Sequence, residues 1–177
     1  GPEIGVASTK AFTGQMYVLY LIALWLSEQK NINNENREKI KQSLVNLPNI
    51  YSSFTKKLMP VIKRIGKNYR FCSNMLFMGR GYNYPIALEG ALKMKEISYI
   101  HAEGYSASEM KHGPIALIDN LMPIVYIILK DNVYLKLKTN LEEIKSRGGS
   151  VIGIVNEDNN ELDHLIDDKI KLPKIEP

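Results

Sequence analysis

Glu89, Lys93 and Glu96 stand four and then three residues apart in the chain. On a helix that spacing puts all three side chains on one face. A carboxylate beside an ammonium can take a proton from carbon next to a carbonyl while the ammonium steadies the enediolate that forms. Further along, His112 lies between Lys111 and Gly113-Pro114 in a polar turn. A loop imidazole beside a fixed proline suits acid–base work better than a core histidine does. Charged triplets of this kind also occur as solvated helix faces with weak ion pairing. Here the intervening residues Ile86, Ala87, Leu88, Ala91, Leu92, Met94 and Ile97 are apolar. The combination points to proton transfer on a small polar substrate, with a carboxylate, an ammonium and a nearby imidazole as the working groups.

The elements that must hold these groups can be read from apolar runs and breakers. Met75–Met78 is a short apolar strand ending at Gly79-Arg80-Gly81, and Pro85, near a first turn, opens a helix to about Tyr99. Pro123–Leu129 is a second strand, apolar on both faces as buried parallel strands are. A helix from Tyr134 to Arg147 stops at Gly148-Gly149, followed by strands at Val151–Val155 and Lys169–Leu172. Strands alternating with helices predict a three-layer α/β/α parallel sheet. Before it, Ser8 or Thr9 can cap a helix running to about Gln29, so apolar that it must be covered on several sides. Asn31–Asn34 reads as a loop. Glu35 to about Lys67 reads as amphipathic helix in two pieces, because Pro48 and Pro60 each break or kink it. The lead Gly1–Ala7 and the last strand at Lys169–Leu172 both read as cut elements, as though the chain starts inside one domain and stops short of a tail.

In open α/β sheets ligands sit beyond the carboxyl ends of strands, where Gly79-Arg80-Gly81 lies. Its amides and guanidinium could hold an anion, or the turn could be purely structural. It is not a dinucleotide fingerprint, because no further glycine follows in register. The totals narrow the classes. The 177 residues are 45% hydrophobic and 24% charged, with 23 basic against 19 acidic side chains. That suits a globular domain with a mildly basic surface for anionic metabolites, and the interspersed charges argue against nucleic acid. Cys72 is the single cysteine, so no intrachain disulfide can form, which fits a cytoplasmic protein. It reads as a small apolar residue at a strand start. His101 and His164 read as structural or surface residues, and no two histidines have metal-ligand spacing, so no metal is expected. The most apolar run, Tyr17–Leu26, is about half of what a membrane span needs.

Several long motifs occur in order: G-P-E-I-G-V-A-S-T-K-A-F-T at 1–13, G-R-G at 79–81, A-L-E-G-A-L-K-M-K-E-I-S-Y-I-H-A-E at 87–103, E-M-K-H-G-P-I-A-L-I-D at 109–119 and R-G-G at 147–149. On these the chain resembles the isomerase half of the glutamine–fructose-6-phosphate aminotransferase family, built of two sugar-isomerase (SIS) domains behind a glutaminase. The resemblance implies the end of a first SIS domain at 1–30, a helical connecting segment at 31–67 and a second SIS domain at 68–177 without its carboxyl-terminal tail. It implies conversion of fructose 6-phosphate to glucosamine 6-phosphate with ammonia from a glutaminase domain, no cofactor, and a homodimer with a shared active site. Glu96 then corresponds to the base moving a proton between C1 and C2, Lys93 to its supporting lysine, and His112 to the ring-opening residue donated across the dimer. Val6 and Ser8 fall where the family contacts the sugar. The family's phosphate loop and imine-forming lysine match nothing here, and Gly79-Arg80-Gly81 becomes a structural turn. Rival readings are a single-function SIS isomerase or deaminase, and a non-catalytic sugar-phosphate sensor, which would have no use for Glu96 as a base.

Overall fold

Apolar runs with no wet face require cover on both sides, and a parallel sheet between helices supplies it. The computed structural model describes residues 5–30, 32 and 34–173. In chain order its elements are α1 (Thr9–Gln29), α2 (Asn34–Asn68), β1 (Asn74–Gly79), α3 (Asn83–Ser98), β2 (His101–Ser106), β3 (Pro123–Ile128), α4 (Tyr134–Ser146), β4 (Ser150–Asn156) and β5 (Asp168–Leu172). Two short 3-10 turns, Met110–His112 and Pro114–Leu117, lie between β2 and β3. All strands pair in parallel, in the order β2-β1-β3-β4-β5.

That order decides which face each connection covers. Parallel crossovers are right-handed. The step from β1 to β2 goes one way along the sheet, whereas the steps β2 to β3 and β3 to β4 go the other. The connection through α3 must therefore lie on one face, and the 107–122 segment and α4 on the opposite one. Packing agrees. Ala87 and Ala91 of α3 share a cluster with Met75, Phe77, Val125, Ile127 and Ile65 of α2. Ala107, Met110 and Ile118 join Leu137, Leu141 and Ile144 of α4 against Met78, Ile124 and Tyr126. Tyr126 is fully buried, its hydroxyl donating to the Leu137 carbonyl at 2.9 Å; burial pushes its phenol far up, so it stays neutral.

Three expectations need correction. The strand at His101–Ser106 was not foreseen; its polar sequence HAEGYS belongs to an edge, where only Ala102 is buried. α2 is one helix through both prolines. A proline bends a helix without having to end it, and Val61 and Ile65, beyond Pro60, pack against the sheet and reward continuing. Finally, α1 has no buried residue, and Val18, Leu19 and Trp25 are each more than half exposed. The chain divides into two compact units with the boundary between Lys57 and Leu58, inside α2. In the first unit the start of α2 meets α1, where the Arg37 guanidinium donates to the Ser27 carbonyl at 3.4 Å. Among the described residues no helix is long and apolar enough to cross a membrane. The expected lead before Gly5, and Asn31 and Asn33 of the expected loop, lie outside the described residues, and α2 already starts at Asn34.

Asp167 ties α4 to β4. Lys145 Nζ reaches its two carboxylate oxygens at 3.0 and 2.8 Å, and the Val151 N–H donates to it at 2.7 Å. Partial burial works to raise this carboxyl, yet the lysine and the amide hold it below its ordinary value of 3.8. Its ionised form therefore adds stability above that value, and the contribution is lost as pH falls through the lower folded pKa. Asp167→Asn should be less stable than the parent in urea unfolding at about pH 7, with the gap closing towards about pH 3. A gap independent of pH would count against this account.

Candidate active site

α3 is laid against the sheet by small residues. A Cβ on Gly104 would meet Leu88 Cα at 2.8 Å, and one on Gly79 would overlap the Asn83 carbonyl oxygen. Gly79 and Gly81, the latter at φ 57°, thus serve a tight strand-to-helix turn, as the structural reading of Gly79-Arg80-Gly81 requires. Ala87 and Ala91 face the sheet. At about 100° per residue, Glu89, Lys93 and Glu96 lie on the far side of the helix from them.

The three charges do meet. Lys93 Nζ is 2.5 Å from Glu96 Oε2 and 3.6 Å from Glu89 Oε1. Their side chains are only 15%, 23% and 22% exposed respectively, which sets them apart from a freely solvated charged face. The bond to Glu96, with the nearby carboxylates adding, holds the Lys93 ammonium above its ordinary value of 10.5. Lys93 is thus cationic throughout the neutral range.

His112 is elsewhere. Its segment enters the α4-side core through Ala107, Met110 and Ile118, so the sheet lies between it and α3. The backbone is held by His112 N–H donating to the Glu109 carbonyl at 3.0 Å, and by Gly113 at φ 149°. The imidazole is exposed. One chain therefore assembles the carboxylate–ammonium pair but does not bring the imidazole to it, contrary to the expectation of a nearby histidine. Val6, 84% exposed, and Ser8, at the N-cap of α1, belong to the first unit.

The remaining expectations fare simply. His164 is a surface residue and His101 an exposed one, 3.5 Å from Glu103 on β2. Cys72 is half-buried just before β1, and burial raises its thiol, away from nucleophile chemistry. Sequence reasoning missed Glu143, whose carboxylate binds Lys111 next to His112 at 2.7 Å. No spacing along the chain signals this contact, because the two residues are brought together only by packing.

Residues 69–176 match the family model of the SIS domain. A protein of Chlorobaculum tepidum named glutamine–fructose-6-phosphate aminotransferase [isomerizing] is 49% identical over 98% of this chain and 28% of its own length. One of the same name from Thermus thermophilus is 42% identical over 100% of the chain and 29% of itself. This chain thus spans little more than a quarter of those relatives. Among solved structures, the C-terminal domain of glucosamine-fructose-6-phosphate aminotransferase from Francisella tularensis superposes with TM-score 0.87 at 41% identity, over 98% of this chain and 49% of that one. A glucosamine-6-phosphate deaminase from Thermotoga maritima shares the fold, at TM-score 0.67 and 22% identity, over 98% of this chain and 48% of its own.

The backbone at Gly113 offers a check on the His112 turn. No heavy atom lies within 4 Å of where a Cβ would sit at Gly113 or at Gly66 in α2. Gly113→Ala should lower unfolding free energy by about 1–3 kcal/mol through backbone strain alone, whereas Gly66→Ala should raise it by roughly 0.5–1 kcal/mol. Equal effects in chemical unfolding would contradict the assigned backbone.

Proposed function

This chain belongs to the SIS-domain family, and we propose that it is the isomerase part of an enzyme making glucosamine 6-phosphate from fructose 6-phosphate and glutamine-derived ammonia. The observation that carries the reading is the Lys93–Glu96 contact of 2.5 Å between two poorly exposed side chains on the outer face of α3. Whole-chain identity of 42–49% to proteins named for that reaction supports the choice of substrate. Glu96 takes the proton from one of the two carbons C1 and C2 and returns it to the other. Lys93, held as an ammonium, stabilises the enediolate-like charge between the two steps. His112 opens the sugar ring, and Val6 and Ser8 contact the sugar.

The same reading assigns the organisation of the chain. Residues 1–30 close a preceding SIS domain, 31–67 connect, and 68–177 form the second SIS domain. The exposed apolar surface of α1 is then covered by the rest of the first domain, which removes an otherwise costly patch. Ammonia comes from a glutaminase domain on the same full-length protein, and the enzyme works in the cytoplasm. Because the sheet separates Glu96 from His112 within one chain, the complete site takes its histidine from a second copy in a two-fold dimer.

Two measurements on the full-length protein test this. Glu96→Gln should cut glutamine-dependent synthesis of glucosamine 6-phosphate by about 10²–10⁴-fold without altering thermal stability; unimpaired turnover would remove Glu96 as the base, and no turnover by the parent protein would leave the sensor reading standing. Mixing Glu96→Gln subunits with His112→Ala subunits, each strongly impaired alone, should restore roughly a quarter of parental activity. Half of the dimers would be mixed, and one of the two sites in each would be intact. No restoration on verified mixing would rule out the shared site.

A further inference from the structure

The 107–118 segment fills the place of a crossover helix between β2 and β3, yet it is built of two short 3-10 turns. Such turns hold few hydrogen bonds of their own. What fixes the segment is α4. Asn140 Nδ2 donates to the Ala107 carbonyl at 2.5 Å. Glu143 Oε1 receives Lys111 Nζ at 2.7 Å. Arg147, at the C-cap of α4, donates through Nη1 to the Ile115 carbonyl at a longer 3.5 Å. The donors and acceptors on α4 are spaced three and four residues apart, one helix face. Their partners at 107, 111 and 115 are spaced by four, so the segment runs along that face in register, with His112 beside the middle link.

We propose that this face of α4 is a positioning template for His112, with Glu143 as its central member. The proposal rests on the reading of His112 as the ring-opening residue. Apolar anchors set the depth of the segment, because Ala107 and Met110 are fully buried, but they do not set where an exposed imidazole points. The Lys111 tie before His112 and the φ 149° of Gly113 after it do.

Glu143 is hard to explain otherwise. Its Oε2 is buried and has no hydrogen-bond partner among the described residues. A buried, unpartnered carboxylate oxygen is costly, so helix stability alone is better served by leucine at this position. A lone ion pair to a half-exposed lysine also adds little to stability. Geometry, rather than stability, is what the contact supplies.

The test uses steady-state kinetics on the full-length protein with Glu143→Leu, Glu143→Gln, His112→Ala and the double variant Glu143→Leu/His112→Ala. A catalytic group displaced by about 1 Å can lose up to 10²-fold in rate. Glu143→Leu is therefore expected to lower kcat by roughly tenfold, with KM for fructose 6-phosphate and the melting temperature unchanged or the latter raised. Glu143→Gln, which can still accept from Lys111, should recover most of the rate. In the His112→Ala background Glu143→Leu should have no further effect. An unchanged kcat in Glu143→Leu, or the same loss with and without His112, would overturn the template. Full activity in His112→Ala would instead overturn the functional reading, and the template with it.

Discussion

The right-handed parallel crossover is the constraint on which this molecule turns. Strand order β2-β1-β3-β4-β5 reverses direction after β2, and a fixed hand then sends α3 to one face and the 107–122 segment with α4 to the other. Every later property of the site inherits that split. The carboxylate–ammonium pair is on the first face and the imidazole on the second, although His112 follows Glu96 by only sixteen positions. On the proposed reading, a chain arranged so completes its site by pairing with a copy of itself.

The two halves are built by different means. On α3, local geometry suffices: helical spacing brings Glu89, Lys93 and Glu96 together, and the small residues Ala87, Ala91 and Gly104 let the helix sit close to the sheet. The charges then occupy the outer side without disturbing the core. Around His112 no regular element exists to do this. Buried Met110 and Ala107 anchor the segment, and side chains of α4, more than 25 residues later, hold both the Ala107 carbonyl and the exposed Lys111. Precision there is long-range, and it comes from polar contacts at the sheet's flank.

Legibility in the sequence follows the same division. β1, β3 and β4 were visible because strands buried on both faces must be apolar throughout. β2 was hidden because an edge strand with partly wet faces reads HAEGYS, with charge, glycine and hydroxyls. Pro48 and Pro60 suggested breaks in α2, but a local preference yields when residues beyond it, here Val61 and Ile65, gain burial by staying helical. The apolar surface of α1 announced a need for cover, and its exposure here leaves that need visible.

By itself, the sequence determined what depends on short-range periodicity and residue type. That covers the alternating helices and strands, the shared face of Glu89, Lys93 and Glu96, the glycine turn after β1, and the motif order that pointed to the family. Tertiary structure alone decided the strand order, the opposite faces of Glu96 and His112, and the tie between Lys111 and Glu143. Those depend on which strands pair and on the hand of the connections between them. Spacing along the chain carries neither, because both are settled by the packing of segments far apart in sequence.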